Sequence, residues 1–280
     1  MAVSAPTESK GYDWMTSTAP PTLLPTSQPA LAMDREILVV GSSRVHGLLW
    51  RRRPGFSIRL HSYSGLTHKD LIYRVNEVIS ENTAVLILVA LQVELHSRTI
   101  DRQGRPGLVY ANPTPPIRDI CATLSSSDLT WKSRGIHVLW IAPYTPNMIL
   151  LNTTRKQKRK WGAMMPYEIE MAEHFQEVIN GNRLKLIDSM KKYNLDVFEL
   201  ELRPWDLTKA AGSDGLHLGT NSKRALFDAA ISRAIEKFNA GPPTIENVGL
   251  SLDAEERETW NQIKRQKRRM RRVRAAERDL

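Results

Sequence analysis

Cysteine is nearly missing from this chain of 280 residues: Cys121 stands alone. A single thiol cannot close an intrachain disulfide, so a disulfide-stapled scaffold is excluded. A reducing, intracellular setting, cytoplasmic or nuclear, is expected instead. No apolar run approaches the ~20 residues that a membrane-spanning helix needs. The N-terminus lacks the basic start and apolar stretch of a secretory signal. Histidines are few and scattered (His46, His61, His68, His96, His137, His174, His217), and none of their spacings matches a metal-ligand set, so no metal is expected. Glycine-rich phosphate loops are missing too. The run "GSSR" has neither a Gly-Lys-Ser/Thr ending nor a three-glycine dinucleotide pattern, and no cofactor is expected. No internal repeat is found.

What remains is an ordinary globular composition, 41% hydrophobic and 25% charged. Its net charge of +10 is unevenly spread. Residues 264–280 hold nine Lys or Arg against Glu277 and Asp279, which is +7, so the body of the chain is close to neutral. Residues 1–34 are rich in Pro, Ser, Thr and Ala without a period, and disorder is expected there. Residues 241–280 read as a linker followed by a charged helix, acidic first and basic last, an order that suits the helix dipole.

Between these ends, over 35–240, apolar runs alternate with helical patterns. The runs are "ILVV" (37–40), "SIRLHSY" (57–63), "AVLILVAL" (84–91), "IHVLWIA" (136–142) and "LDVFELEL" (195–202). Three are apolar throughout, as strands covered on both faces are. Helices are expected near 67–79, with Thr67 and Asp70 as a start box, and near 115–124, 164–193 and 222–238. Gly181 is a candidate break in the third. Strands alternating with helices predict an α/β fold with a parallel sheet.

In such a sheet, chemistry gathers beyond the C-terminal strand ends. Read there, the chain offers Gly41-Ser42-Ser43 after the first strand, Ser64-Gly65 after the second and Gln92 after the third. The basic run "RKQKRK" (155–160), expected in a long loop, follows the fourth. Asp214-Gly215-Leu216-His217 stands just before the last helix. A hydroxyl, a base, a group to orient the base and donors for an oxyanion are what nucleophilic acyl chemistry needs.

Over residues 36–238 these blocks resemble the SGNH, or GDSL-type, serine hydrolases. The resemblance implies a flavodoxin-like, doubly wound five-stranded parallel sheet and esterase activity. It implies Ser43 as nucleophile, His217 as general base and Asp214 as its orienter. The N–H groups of Ser43 and Gly65 and the amide of Gln92 would form the oxyanion hole. The third block departs from the family's Gly-x-Asn-Asp: this chain has Ala90-Leu91-Gln92-Val93. One lost donor in such a hole costs ~10²–10³ in turnover.

That departure leaves a second reading open, a nucleic-acid-binding protein on a hydrolase-like fold, in the manner of OSK domains. RNA or DNA would then meet Arg155, Lys156, Lys158, Arg159 and Lys160, together with Lys264, Arg265, Lys267, Arg268, Arg269, Arg271 and Arg272 of the tail. A scaffold whose tail helix recruits a partner is the third possibility.

Overall fold

A computed structural model of the chain describes residues 35–42, 45, 53–100, 106–199 and 212–245. The N-terminal segment and the charged C-terminal helix expected from the sequence lie outside the described residues. In chain order the elements are β1 (Arg35–Ser42), β2 (Phe56–Tyr63), α1 (His68–Val78), β3 (Thr83–Val89), α2 (Gln92–Leu95), β4 (His96–Ile100) and β5 (Pro106–Ala111). They continue with α3 (Ile117–Lys132), β6 (His137–Ile141), α4 (Met148–Arg159), α5 (Pro166–Lys192), β7 (Val197–Phe198) and α6 (Thr220–Asn239).

Five strands form one parallel sheet in the order β2-β1-β3-β6-β7. This is the flavodoxin-like order, with its switch point between β1 and β3. The continuous apolar runs have the expected cause. Along β1, Leu38 and Val40 point to one side, where α1, α3 and α5 pack through Leu71, Leu124 and Leu186. Ile37 and Val39 point to the other, against Phe227 and Ile231 of α6. Burying each such side chain is worth about 1.5–3 kcal/mol, and no polar face is left to alternate.

Several local expectations hold. Thr67 caps α1, accepting from the Asp70 N–H, while the Asp70 carboxylate accepts from the Thr67 N–H. Three differ. The long helix α5 runs through Gly181 without a break. A mid-helix glycine costs only ~1 kcal/mol, less than the flanking burial of Ile179, Leu186 and Ile187 returns. The fifth strand is short: among the described residues only Val197 and Phe198 pair, opposite Trp140 and Ile141. His96–Ile100 and Pro106–Ala111, not expected to form strands, make the antiparallel pair β4–β5. Pro106 and Gly107 hide that hairpin from a reading by pattern. Among the described residues no helix is long and apolar enough to cross a membrane.

Candidate active site

The register of the sheet decides which loops meet. Ser42 lies opposite Tyr63 on β2, and Gly41 opposite Val89 on β3. The ends of β1, β2 and β3 therefore lie side by side at one edge of the sheet. Gly41 has a steric reason to be glycine. A Cβ there would sit 2.8 Å from Val45 Cγ1, Val89 Cβ and the Val89 carbonyl oxygen. The first serine after it is part of the strand: Ser42 is buried, and its hydroxyl has no partner among the described residues. Among the described residues it caps no helix, and it is shielded from solvent. Ser43, expected as the nucleophile, lies outside the described residues, as do Arg44 and His46.

Gly65 follows β2 on an exposed turn at φ +70°, a left-handed conformation that glycine adopts without cost. Gln92 opens α2, directly after Leu91, whose φ of +76° turns the chain sharply at the strand end. The Gln92 side chain is buried, and its Nε2 donates one hydrogen to the carbonyl of Tyr144.

Asp214 and His217 come together on the segment before α6. Asp214 Oδ2 lies 2.5 Å from His217 Nδ1. Its Oδ1 accepts the backbone N–H groups of Leu216 and His217, each at 3.0 Å. Burial pushes the Asp214 carboxyl up, but the hydrogen bonds from His217 and Leu216 outweigh it and hold the group below the usual carboxylate range. An ionised Asp214 accepts only, so Nδ1 of His217 carries the proton of that bond, and in the neutral imidazole the lone pair is then on Nε2. Lys223, one turn into α6, feels the same carboxylate. Burial lowers its pKa while Asp214 pulls the other way.

The scaffolding of this segment was not visible in the sequence. Gly215 sits at φ +69°, and a Cβ there would meet Leu151 N at 2.5 Å and Asn147 O at 2.7 Å. The Asn147 N–H donates to the Gly215 carbonyl at 2.8 Å, so the loop lies directly against the start of α4. Asn147 also caps α4 through Leu150 N. The Tyr144 hydroxyl accepts from Leu218 N at 3.2 Å, which ties the His217 segment to the residue that holds Gln92. Helix α5 supports this strut: Gln176 accepts the Met148 N–H, and Arg183 donates to the Pro143 carbonyl. Asn147 and Gly215 carry a local signal, a cap and an Asp-Gly turn. Tyr144 carries none.

A second histidine–carboxylate pair was also missed. Glu94 Oε1 lies 2.7 Å from His68 Nδ1 and accepts the His68 backbone N–H at 3.0 Å. It joins the start of α1 to α2. The Asn112 side chain donates to the Glu94 carbonyl, and Asn182 of α5 donates to the Asn112 carbonyl.

The basic run does not form a loop. Residues 155–159 are the last turns of α4, because Leu151, Asn152 and Lys156 form a buried face that packs inward. Two of the five cations are committed there. Lys156 is buried and pairs with Glu168 at 2.6 Å, and Arg155 donates to the Gly107 carbonyl at 3.0 Å. Arg159 stacks over the Trp161 ring, 5.1 Å from its centroid. Lys158 and Lys160 are exposed. Lys264, Arg265, Lys267, Arg268, Arg269, Arg271 and Arg272 lie outside the described residues.

No protein-family model matches the sequence. No curated protein matches it either. Solved structures do. A GDSL-like lipase from Bacteroides thetaiotaomicron is 16% identical, covers 73% of this chain and 89% of its own, and has a TM-score of 0.45. An acetyl xylan esterase is 14% identical over 71% of this chain and 98% of its own, with a TM-score of 0.46. A carbohydrate acetylesterase from Sinorhizobium meliloti is 13% identical over 72% of this chain and 99% of its own, with a TM-score of 0.44. By its own strand order this chain has a flavodoxin-like α/β fold, and it is similar in structure to GDSL-type hydrolases.

Proposed function

We propose that the chain is a serine hydrolase acting on ester bonds, with Ser43, His217 and Asp214 as its relay. The observation that carries the reading is the 2.5 Å contact between the Asp214 carboxylate and the His217 imidazole. It stands on a loop pinned by Gly215 to α4. An ionised carboxylate on Nδ1 leaves the Nε2 lone pair to take a hydroxyl proton.

In this mechanism Ser43 Oγ attacks the ester carbonyl carbon, and the carbonyl electrons move onto oxygen. His217 takes the Oγ proton and then gives it to the departing alkoxide, which leaves an acyl-serine. Water, deprotonated by His217, attacks that acyl group; the intermediate collapses, the acid departs, and His217 returns the proton to Ser43 Oγ. The oxyanion formed twice would be met by the N–H groups of Ser43 and Gly65. Gln92 would contribute its second amide hydrogen, the first being held by Tyr144. An acetyl or short acyl ester is the substrate class proposed. The relay needs no cofactor.

Fluorophosphonate labelling of the full-length protein, read by intact mass, tests the reading. Wild type should gain one adduct, and Ser43→Ala and His217→Ala should gain none. A folded, monodisperse wild type that takes no adduct would overturn it. Nucleic-acid binding would use other residues and does not compete with this chemistry.

A further inference from the structure

Between α4, α5 and β5 lies a cavity of about 480 Å³ that the hydrolase reading does not use. Its walls are largely apolar and include the rings of Tyr110, Trp161, Tyr167 and Phe175, with Met171 beside them. Tyr110 and Phe175 form the back, their ring centroids 6.0 Å apart. Trp161 and Tyr167 form the mouth and are 38% and 60% exposed. Arg159 lies over one face of the Trp161 ring, and exposed aromatic clusters of this kind mark binding surfaces.

Two further features mark what would cover them. The lining is polar at one place, where buried Lys156 pairs with half-buried Glu168. An ammonium with donors to spare beside a carboxylate can meet the hydrogen-bonding edge of a planar ring. A cationic rim would come from Lys158 and Lys160, which are exposed at the end of α4 just before Trp161. A plain acyl chain would use the apolar walls but neither the ion pair nor the rim. A flat heterocycle with an anionic backbone uses all three.

We propose that this cavity and its rim bind single-stranded nucleic acid, a base stacking on Trp161 and Tyr167 and the flanking phosphates meeting Lys158 and Lys160. The arrangement joins a stacking platform to a positive track, the combination by which single strands are held without strict sequence preference. Only the two exposed lysines of the run 155–160 are counted as phosphate contacts, since Arg155 and Lys156 face inward.

The test uses full-length protein and fluorescein-labelled 12-mers of oligo(U) and oligo(dT), followed by anisotropy at several salt concentrations. Trp161→Ala and Tyr167→Ala should each weaken binding about 5- to 100-fold without changing the salt slope. Tyr167→Phe, which keeps the ring, should bind as wild type does. Replacing Lys158 and Lys160 by Gln should lower the salt slope by about one for each charge. A tail variant with Arg268, Arg269, Arg271 and Arg272 replaced by Gln should lose affinity while its dependence on Trp161 remains. The proposal is overturned if the aromatic variants bind like wild type and the tail variant alone loses binding. It is overturned equally if Tyr167→Phe binds as poorly as Tyr167→Ala, or if a fluorescent fatty acid fills the cavity and oligonucleotide does not displace it. The measurement needs no turnover, so its result is separate from that of the hydrolase test.

Discussion

Among the described residues two histidines, His217 and His68, meet a carboxylate through Nδ1, and the two pairs are built differently. His217 and Asp214 are three residues apart, and their side chains are 29% and 33% exposed. His68 and Glu94 are 26 residues apart and only 11% and 14% exposed. Asp214 divides its oxygens, one for two backbone N–H groups and one for the imidazole. The loop thus folds on its own carboxylate and presents a half-open ring at the sheet edge. Glu94 spends one oxygen on both the backbone and the ring of His68. It clamps the turn that follows Gly65 to the helix that begins with Gln92. The same two functional groups serve presentation in one place and bracing in the other. Exposure and the span of chain being bridged make the difference.

The sharpest way to break this comparison is to remove each histidine. His217→Ala should lower the rate of fluorophosphonate labelling or ester hydrolysis by about 10⁴-fold or more, with little loss of stability. Asp214→Asn should cost nearly as much, because an amide no longer fixes the proton on Nδ1. His68→Ala should do the reverse, lowering the melting temperature while the rate stays within about tenfold. If His68→Ala silences labelling in a protein that melts like wild type, the bracing role is wrong.

Next in size is Gly215→Ala. A left-handed φ and a backbone nitrogen 2.5 Å from the new Cβ should destabilise the protein by about 2–4 kcal/mol in urea unfolding. The rate should fall too, because the loop that carries His217 has to move off α4. Glu94→Gln comes third. It weakens a charge-assisted contact to a buried His68 and should cost about 1–3 kcal/mol. At this chain size that is a drop of about 2–4 °C in Tm per kcal/mol.

The smallest effect is one of pH. The folded Asp214 carboxyl is held below its ordinary value, so its ionised form favours the fold. That contribution is complete above the ordinary carboxylate range and is lost as pH falls through the folded value. The stability difference between wild type and Asp214→Asn should therefore shrink on acidification. A difference that stays constant down to pH 2 would contradict the hydrogen bonding described.

How much could be read from the residues varied with the distance between partners. Asp214-x-x-His217 was legible because its contact closes within one turn. Thr67 and Asp70 were legible for the same reason. Gly41 could be read as a turn glycine, but the 2.8 Å contacts that require it come from Val45 and from a neighbouring strand. Gln92 was placed at the right strand end, yet its partner Tyr144 is 52 residues away and nothing local announces it. The run 155–160 looked like a solvated loop because charge dominates it. It is helical because a few of its residues pack inward, which only the neighbouring β5 and α5 can reward.

The sequence alone determined the alternation of buried strands and helices, hence a parallel sheet, and the local turn that joins Asp214 to His217. Both depend on periodicity and short spacing, which covalent geometry carries along the chain. The tertiary structure decided which loops meet at the sheet edge, that Glu94 and Tyr144 hold them, and that aromatic rings from α5 and β5 surround one cavity. Those contacts join elements separated by tens of residues. They are selected by how whole faces pack, which no local pattern records.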